Sequence, residues 1–180
     1  MKRVLLAVLV LAPQASMSAN QSPYAGEQLR PIASMSSQEI ISLRSGEGMG
    51  FAKLAELNHY PGPKHVLEVA DDLGLTPSQL SQTEALFKEI KSNAMALGEE
   101  LIEAETTLDS EFSGGSISAR KLESALLAIA TIRAQLRYVH LEAHLRQKKI
   151  LTKEQVARYD EARGYRGKAH KHSGHSGSHD

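Results

Sequence analysis

There is no cysteine anywhere in the chain. That absence excludes a disulfide framework, a thiol nucleophile, and a lipid anchor carried on a processing cysteine. Stability must therefore come from packed apolar helix faces or from oligomerisation. Charge of one sign is also missing. Without Lys2 and Arg3, 19 basic residues stand against 21 acidic ones, so the basic excess needed to neutralise phosphates is not there and nucleic acid is excluded as a partner. Nor is there a long apolar run. The only sustained one, Val4 to Ala12, falls far short of the roughly 20 residues that span a bilayer, so no membrane insertion is expected.

That short run follows Lys2 and Arg3 and gives way to small and polar residues through Ser16, Ser18 and Ala19. Basic, apolar and small in that order is the pattern of a secretory signal peptide, expected over residues 1–19, with a soluble product outside the cytoplasm. Residues 20–35 are polar and broken by Pro23, Gly26 and Pro31, and read as an extended arm. One all-α domain over 36–165 follows, and a tail over 166–180 of Gly, Ser, Lys and His reads as disordered.

Within the domain, Ser36 and Glu39 have capping-box spacing and open a short helix from Ser37 to Arg44, stopped by Gly46, Gly48 and Gly50. These glycines superficially resemble a phosphate-binding loop. No strand precedes them and no lysine and hydroxyl pair follows, so they read as a flexible break. A second short helix is expected over Phe51 to Asn58, and a third from Pro63 to Leu73, closed by Gly74.

One motif then occurs twice: Leu75-Thr76-Pro77-Ser78-Gln79 and Leu151-Thr152-Lys153-Glu154-Gln155. In each, the threonine is placed to cap a helix, and the glutamine three positions on reaches back to the cap's amide. Leu75 with Leu80, and Leu151 with Val156, are expected as hydrophobic staples. Between the copies, Leu80, Phe87, Ala94, Leu101 and Leu108 recur every seven residues, with Ile90, Leu97 and Ala104 between them. After the turn Ser113-Gly114-Gly115-Ser116 a second series runs through Leu122, Ile129, Leu136, Ala143 and Ile150, with Ala125, Ile132 and Val139. Two long amphipathic helices paired as an antiparallel hairpin are expected. The second carries a further apolar stripe, Leu127, Ala134, Tyr138, Leu141 and Leu145, on the side opposite the seam. Either the short helices cover it or it is a homodimer or client surface.

Paired Leu-Thr-x-x-Gln motifs behind a signal peptide resemble the bacterial periplasmic LTxxQ superfamily, and the stretches Gly48 to Asn58 and Tyr60 to Leu67 resemble its branch labelled periplasmic heavy-metal sensor. That superfamily includes stress-induced chaperones, zinc-resistance-associated proteins and nickel and cobalt sensors. The resemblance implies a four-helix hairpin fold, a homodimer, a periplasmic location and no catalysis. It leaves open which of two roles applies, metal binding or ATP-independent holding of unfolded clients; the partners expected are such clients or an envelope sensor protein.

The residues themselves carry no enzyme signature. His140-Leu141-Glu142-Ala143-His144 resembles a zincin helix only in part: Glu142 lies about 200° round the helix from His140 and points away from any shared ion. His140 and His144, one turn apart, are about 40° from each other and are able to share a metal ion such as Zn²⁺, Ni²⁺, Co²⁺ or Cu²⁺. In the nickel and cobalt sensors that the chain resembles, histidines of the short helix before the first motif face that pair. His65 is the residue so placed here, with Val69 where a second ligand would stand and Glu68, Asp72 or Glu84 as completing carboxylates. His170, His172, His175 and His179 in the tail are spaced to chelate the same ions loosely, or serve only to keep the chain soluble.

Overall fold

The computed structural model describes residues 22–165. The signal peptide expected over residues 1–19, and His170, His172, His175 and His179, lie outside the described residues. The described residues form seven α-helices and no strand: α1 (Ser37–Arg44), α2 (Lys53–Glu56), α3 (Pro63–Glu68), α4 (Ala70–Leu73), α5 (Pro77–Ser113), α6 (Ala119–Ile150) and α7 (Lys153–Ala162). None of the helices described is long and apolar enough to cross a membrane.

The two long helices dominate. Gln147 Nε2 donates to Thr83 Oγ1 at 3.1 Å near one end, Arg146 pairs with Glu89, Arg133 with Glu105, and Lys121 with Glu111 near the other. The partners run in opposite order, so α5 and α6 lie antiparallel. On α6 the expected seam is the one that is buried: Ile129, Leu136 and Ala143 face inward. On α5 the expected series is displaced at its start. Leu80 is 37% exposed and Phe87 half-buried, while Thr83, Leu86 and Ile90 fill the interface. A strict seven-residue period drifts about 20° per repeat on a straight helix, and over α5 that drift changes which side chains meet α6.

Small helices and loops pack against this pair. Ile32, Met35 and Leu43 join Ala94, Leu101, Ile102, Ile129 and Leu136 in one cluster. Residues 22–35 are thus a series of turns, with a 3-10 segment at Glu27–Leu29, rather than an extended arm. The buried Ile32 and Met35 supply the reason: together they offset the cost of ordering that polar segment. The Ser36–Glu39 capping box forms and opens α1 at Ser37. α1 approaches α5 where Gly98 has no side chain, and a Cβ there would stand 2.5 Å from the Leu43 carbonyl oxygen.

Three expectations are corrected. The helix expected over Phe51 to Asn58 is helical only from Lys53 to Glu56, because Met49, Gly50 and His59 turn left-handed around it. The helix expected from Pro63 to Leu73 breaks at Val69 (φ −121°, ψ 24°) into α3 and α4, which lets Val66 and Leu73 both reach one cluster with Leu151 and Tyr159. The Leu75–Leu80 staple gives way to the same attraction: Leu75 packs on that cluster and Leu80 stays exposed. The second staple has both its members, Leu151 and Val156, in the cluster.

The two Leu-Thr-x-x-Gln motifs meet. Thr76 and Thr152 each accept from the amide of the glutamine three residues on, and Gln79 Oε1 and Gln155 Oε1 each accept from the threonine amide. The two carboxamides then bond to each other: Gln79 Nε2 donates to Gln155 Oε1 at 2.8 Å and Gln155 Nε2 to Gln79 Oε1 at 3.0 Å. Each also donates to the carbonyl that precedes the other motif, Gln79 to Ile150 and Gln155 to Gly74. This exchange is near-symmetric and ties the start of α5 to the start of α7.

Candidate metal centre

One cleft of about 660 Å³ lies between the loop after α1, helices α2 and α3, the first half of α5 and the last third of α6. His65, His140 and His144 all line it, with Glu47 and Glu56. The residues that brought these histidines together are apolar or small. Val66 and Pro63 are buried and seat α3, and Gly62 lets the chain pass over His144: a Cβ there would stand 2.7 Å from His144 Cε1.

Each ring has a distinct setting. His144 is 8% exposed, and its Nδ1 lies 2.7 Å from the Tyr60 carbonyl oxygen. A carbonyl only accepts, so Nδ1 carries the proton and Nε2 is left with its lone pair in the neutral ring. His65 is held likewise, its Nδ1 2.8 Å from Glu68 Oε2, and that hydrogen bond holds the Glu68 carboxyl below the ordinary carboxylate range. His140 stacks on Phe51 with ring centroids 5.7 Å apart, and its buried Nε2 meets no hydrogen-bond partner among the described residues. Burial, and then the neighbouring His144, lower its pKa and favour the neutral imidazole. An imidazole steadied at one nitrogen by a carbonyl or carboxylate, with the other free, is the usual outer-shell arrangement of metal-bound histidine.

No family model, no curated protein and no solved structure matches the chain. The reading of the cleft therefore rests on its own geometry. As the side chains stand, no group of three or more His, Asp or Glu residues is close enough to hold a metal ion among the described residues. Of the carboxylates expected to complete a site, Glu68 is engaged by His65, and Asp72 and Glu84 do not line the cleft. Glu56 and Glu47 take their place on its wall. Both Glu56 oxygens accept from the Tyr159 hydroxyl, at 2.9 and 2.8 Å, and Oε1 lies 4.0 Å from His144 Nδ1. The buried Tyr159 hydroxyl is in turn pushed well above its ordinary pKa by burial and by the Glu56 charge.

Two features escaped the sequence reading. Glu56 has no motif around it; α2 places it on the cleft wall, and Tyr159 from α7 holds its carboxylate. His59 sits in the left-handed region at φ 61° and pairs with the buried Asp160, Nδ1 to Oδ2 2.9 Å, fastening the α2–α3 turn to α7. A lone histidine before Tyr60-Pro61 gave no signal for that.

The opposite side of α6 is open. Leu127 is 64% exposed, Tyr138 67% and Leu145 50%, with Leu141 half-buried. The short helices do not cover this stripe.

Proposed function

We propose that the chain is a non-enzymatic metal-binding or metal-sensing protein of the cell envelope, whose centre is the cleft containing His65, His140 and His144. The observation that carries the reading is that three histidines from two separated segments line one cleft, two of them with Nδ1 hydrogen-bonded and the third with an unpartnered buried Nε2. Neutral imidazole suits Zn²⁺, Ni²⁺, Co²⁺ and Cu²⁺. Because the rings are not yet grouped, binding draws them together by rotation of the side chains, with Glu56, 4.0 Å from His144 Nδ1, on the cleft wall beside them. The resemblance to the periplasmic LTxxQ proteins supports the same assignment and the periplasmic location, and an envelope sensor protein is the partner such a role calls for. The four tail histidines add loose capacity for the same ions.

The test is calorimetric titration of Zn²⁺, Ni²⁺, Co²⁺ and Cu²⁺ into a chain in which His170, His172, His175 and His179 are alanine, compared with the same chain carrying His140→Ala and His144→Asn. The reading requires a saturable site that weakens at least tenfold in the second protein while its helical content is kept. Equal affinities would remove it.

A second reading has its own observation. The exposed stripe Leu127, Tyr138 and Leu145 is an apolar face of the kind that marks an interface, and supports a homodimer or ATP-independent holding of unfolded clients. If Leu127→Glu with Tyr138→Glu leaves both the light-scattering mass and the suppression of client aggregation unchanged, that face has neither role.

A further inference from the structure

The glycine-rich loop on the rim of the cleft has chemistry that the metal reading does not use. From Gly48 to Gly50 the chain turns left-handed at two consecutive residues, Met49 at φ 41° and Gly50 at φ 79°. For an unbranched but bulky L-residue that conformation is unfavourable and marks a place where other contacts hold the backbone. The amides of Gly48, Met49 and Gly50 donate to no acceptor among the described residues, whereas those flanking them do: Glu47 N to Ser42 O at 2.9 Å and Phe51 N to Gly48 O at 2.7 Å. Successive unbonded N–H groups in such a turn form a small concavity of positive charge.

Three lysines share the cleft with it. Lys53, at the end of the loop, Lys91 on α5 and Lys64 on α3 all line the same cleft, and none has an ion pair among the described residues. The Lys91 residue packs under the start of the loop: a Cβ on Gly46 would meet its carbonyl oxygen at 2.8 Å and its Cγ at 3.4 Å. The cleft also holds two carboxylates, Glu47, which accepts from the Ser42 hydroxyl at 2.7 Å, and Glu56, which accepts from Tyr159, so the three lysines outnumber them. We propose that the Gly48–Gly50 amides together with Lys53, Lys64 and Lys91 form a binding site for a small multivalent oxyanion, a phosphate-type group. The loop amides take its oxygens by charge-assisted hydrogen bonds, and the three ammonium groups balance its charge. The site is independent of the metal reading, and stands at the glycine-loop end of the cleft, beside His140, whose Nδ1 would lie 3.9 Å from a Cβ on Gly48.

The experiment is a ¹⁵N-resolved NMR titration of the full chain with pyrophosphate, in metal-stripped buffer of low ionic strength at about pH 8, where free histidine is neutral. Parallel titrations use inorganic phosphate and citrate. Saturable shifts of the Gly48, Met49 and Gly50 amides are expected, with roughly tenfold weaker binding in the triple variant Lys53→Gln, Lys64→Gln, Lys91→Gln. The substituted lysines are exposed, and the helical spectrum checks that the variant folds. Shifts by phosphate and pyrophosphate without citrate identify a tetrahedral group, whereas stronger shifts by citrate would overturn that class. Unshifted loop amides, or a triple variant that binds as the parent does, would overturn the site.

Discussion

Replacing Gln155 with alanine removes a side chain that is 7% exposed and makes four hydrogen bonds. Its Oε1 accepts from the Thr152 amide at 2.9 Å and from Gln79 Nε2 at 2.8 Å, and its Nε2 donates to Gly74 O at 3.3 Å and Gln79 Oε1 at 3.0 Å. At a net of about 0.5–1.5 kcal/mol each, with the long Gly74 bond at the low end, the loss is about 2–4 kcal/mol. Thr152→Ala, which removes one cap bond, should cost only about 1 kcal/mol. For a domain of this size, the larger figure lowers the melting temperature by roughly 8–15 °C. Because Gln79 and Gln155 bond to each other, a cycle with Gln79→Ala should show a coupling of about 1–2 kcal/mol, where distant sites would add. Circular-dichroism melts and urea titrations of the four proteins read these values. Additive losses, or a Gln155→Ala cost no greater than that of Thr152→Ala, would refute the reciprocal contact between the motifs.

Further outcomes follow from packing and charge. Gly98→Ala, which in an open helix would stabilise by up to about 1 kcal/mol, should here destabilise by about 1–3 kcal/mol in urea titration, because the new Cβ meets the Leu43 carbonyl oxygen at 2.5 Å. Gly62→Ala has ordinary backbone angles available (φ −89°, ψ 146°) yet places its Cβ 2.7 Å from His144, so His144 should leave its bond to Tyr60 O and melting should fall by several degrees. The lowered His140 pKa sets a pH dependence. The unfolded chain takes up the proton near the ordinary value of 6.5 and the folded chain only at lower pH, so this contribution is complete above about pH 6.5 and is lost as pH falls through the folded value. Melting temperatures between about pH 7.5 and 5 should fall less steeply in His140→Phe than in the parent.

Local signals carried far and tertiary ones did not. Both Leu-Thr-x-x-Gln capping boxes and the Ser36–Glu39 box were legible because each is settled within one or two turns, and the α6 seam because its seven-residue repeat holds along the helix. The break at Val69 was not, since neither glycine nor proline marks it and the cause is the distant cluster that Val66 and Leu73 share with Tyr159. The burial of Ile32 and Met35 was hidden by the polar residues around them. In the cleft, the one-turn spacing of His140 and His144 pointed to a shared side of α6, and the resemblance pointed to His65. Glu56, Glu47 and the His59–Asp160 pair depend on which loops cross α6 and α7, and no spacing reports that. The engagement of Glu68 by His65 likewise removed an expected ligand.

The most direct test of the metal centre is long-range ¹H–¹⁵N NMR of the imidazole rings in a chain whose four tail histidines are alanine, before and after one equivalent of Zn²⁺. The Nε2 resonances of His140 and His144 should move together and saturate, His65 should follow, and Nδ1 of His144 should keep its proton on Tyr60 O. Unmoved rings at all three positions, in a protein that remains folded, would contradict the metal assignment.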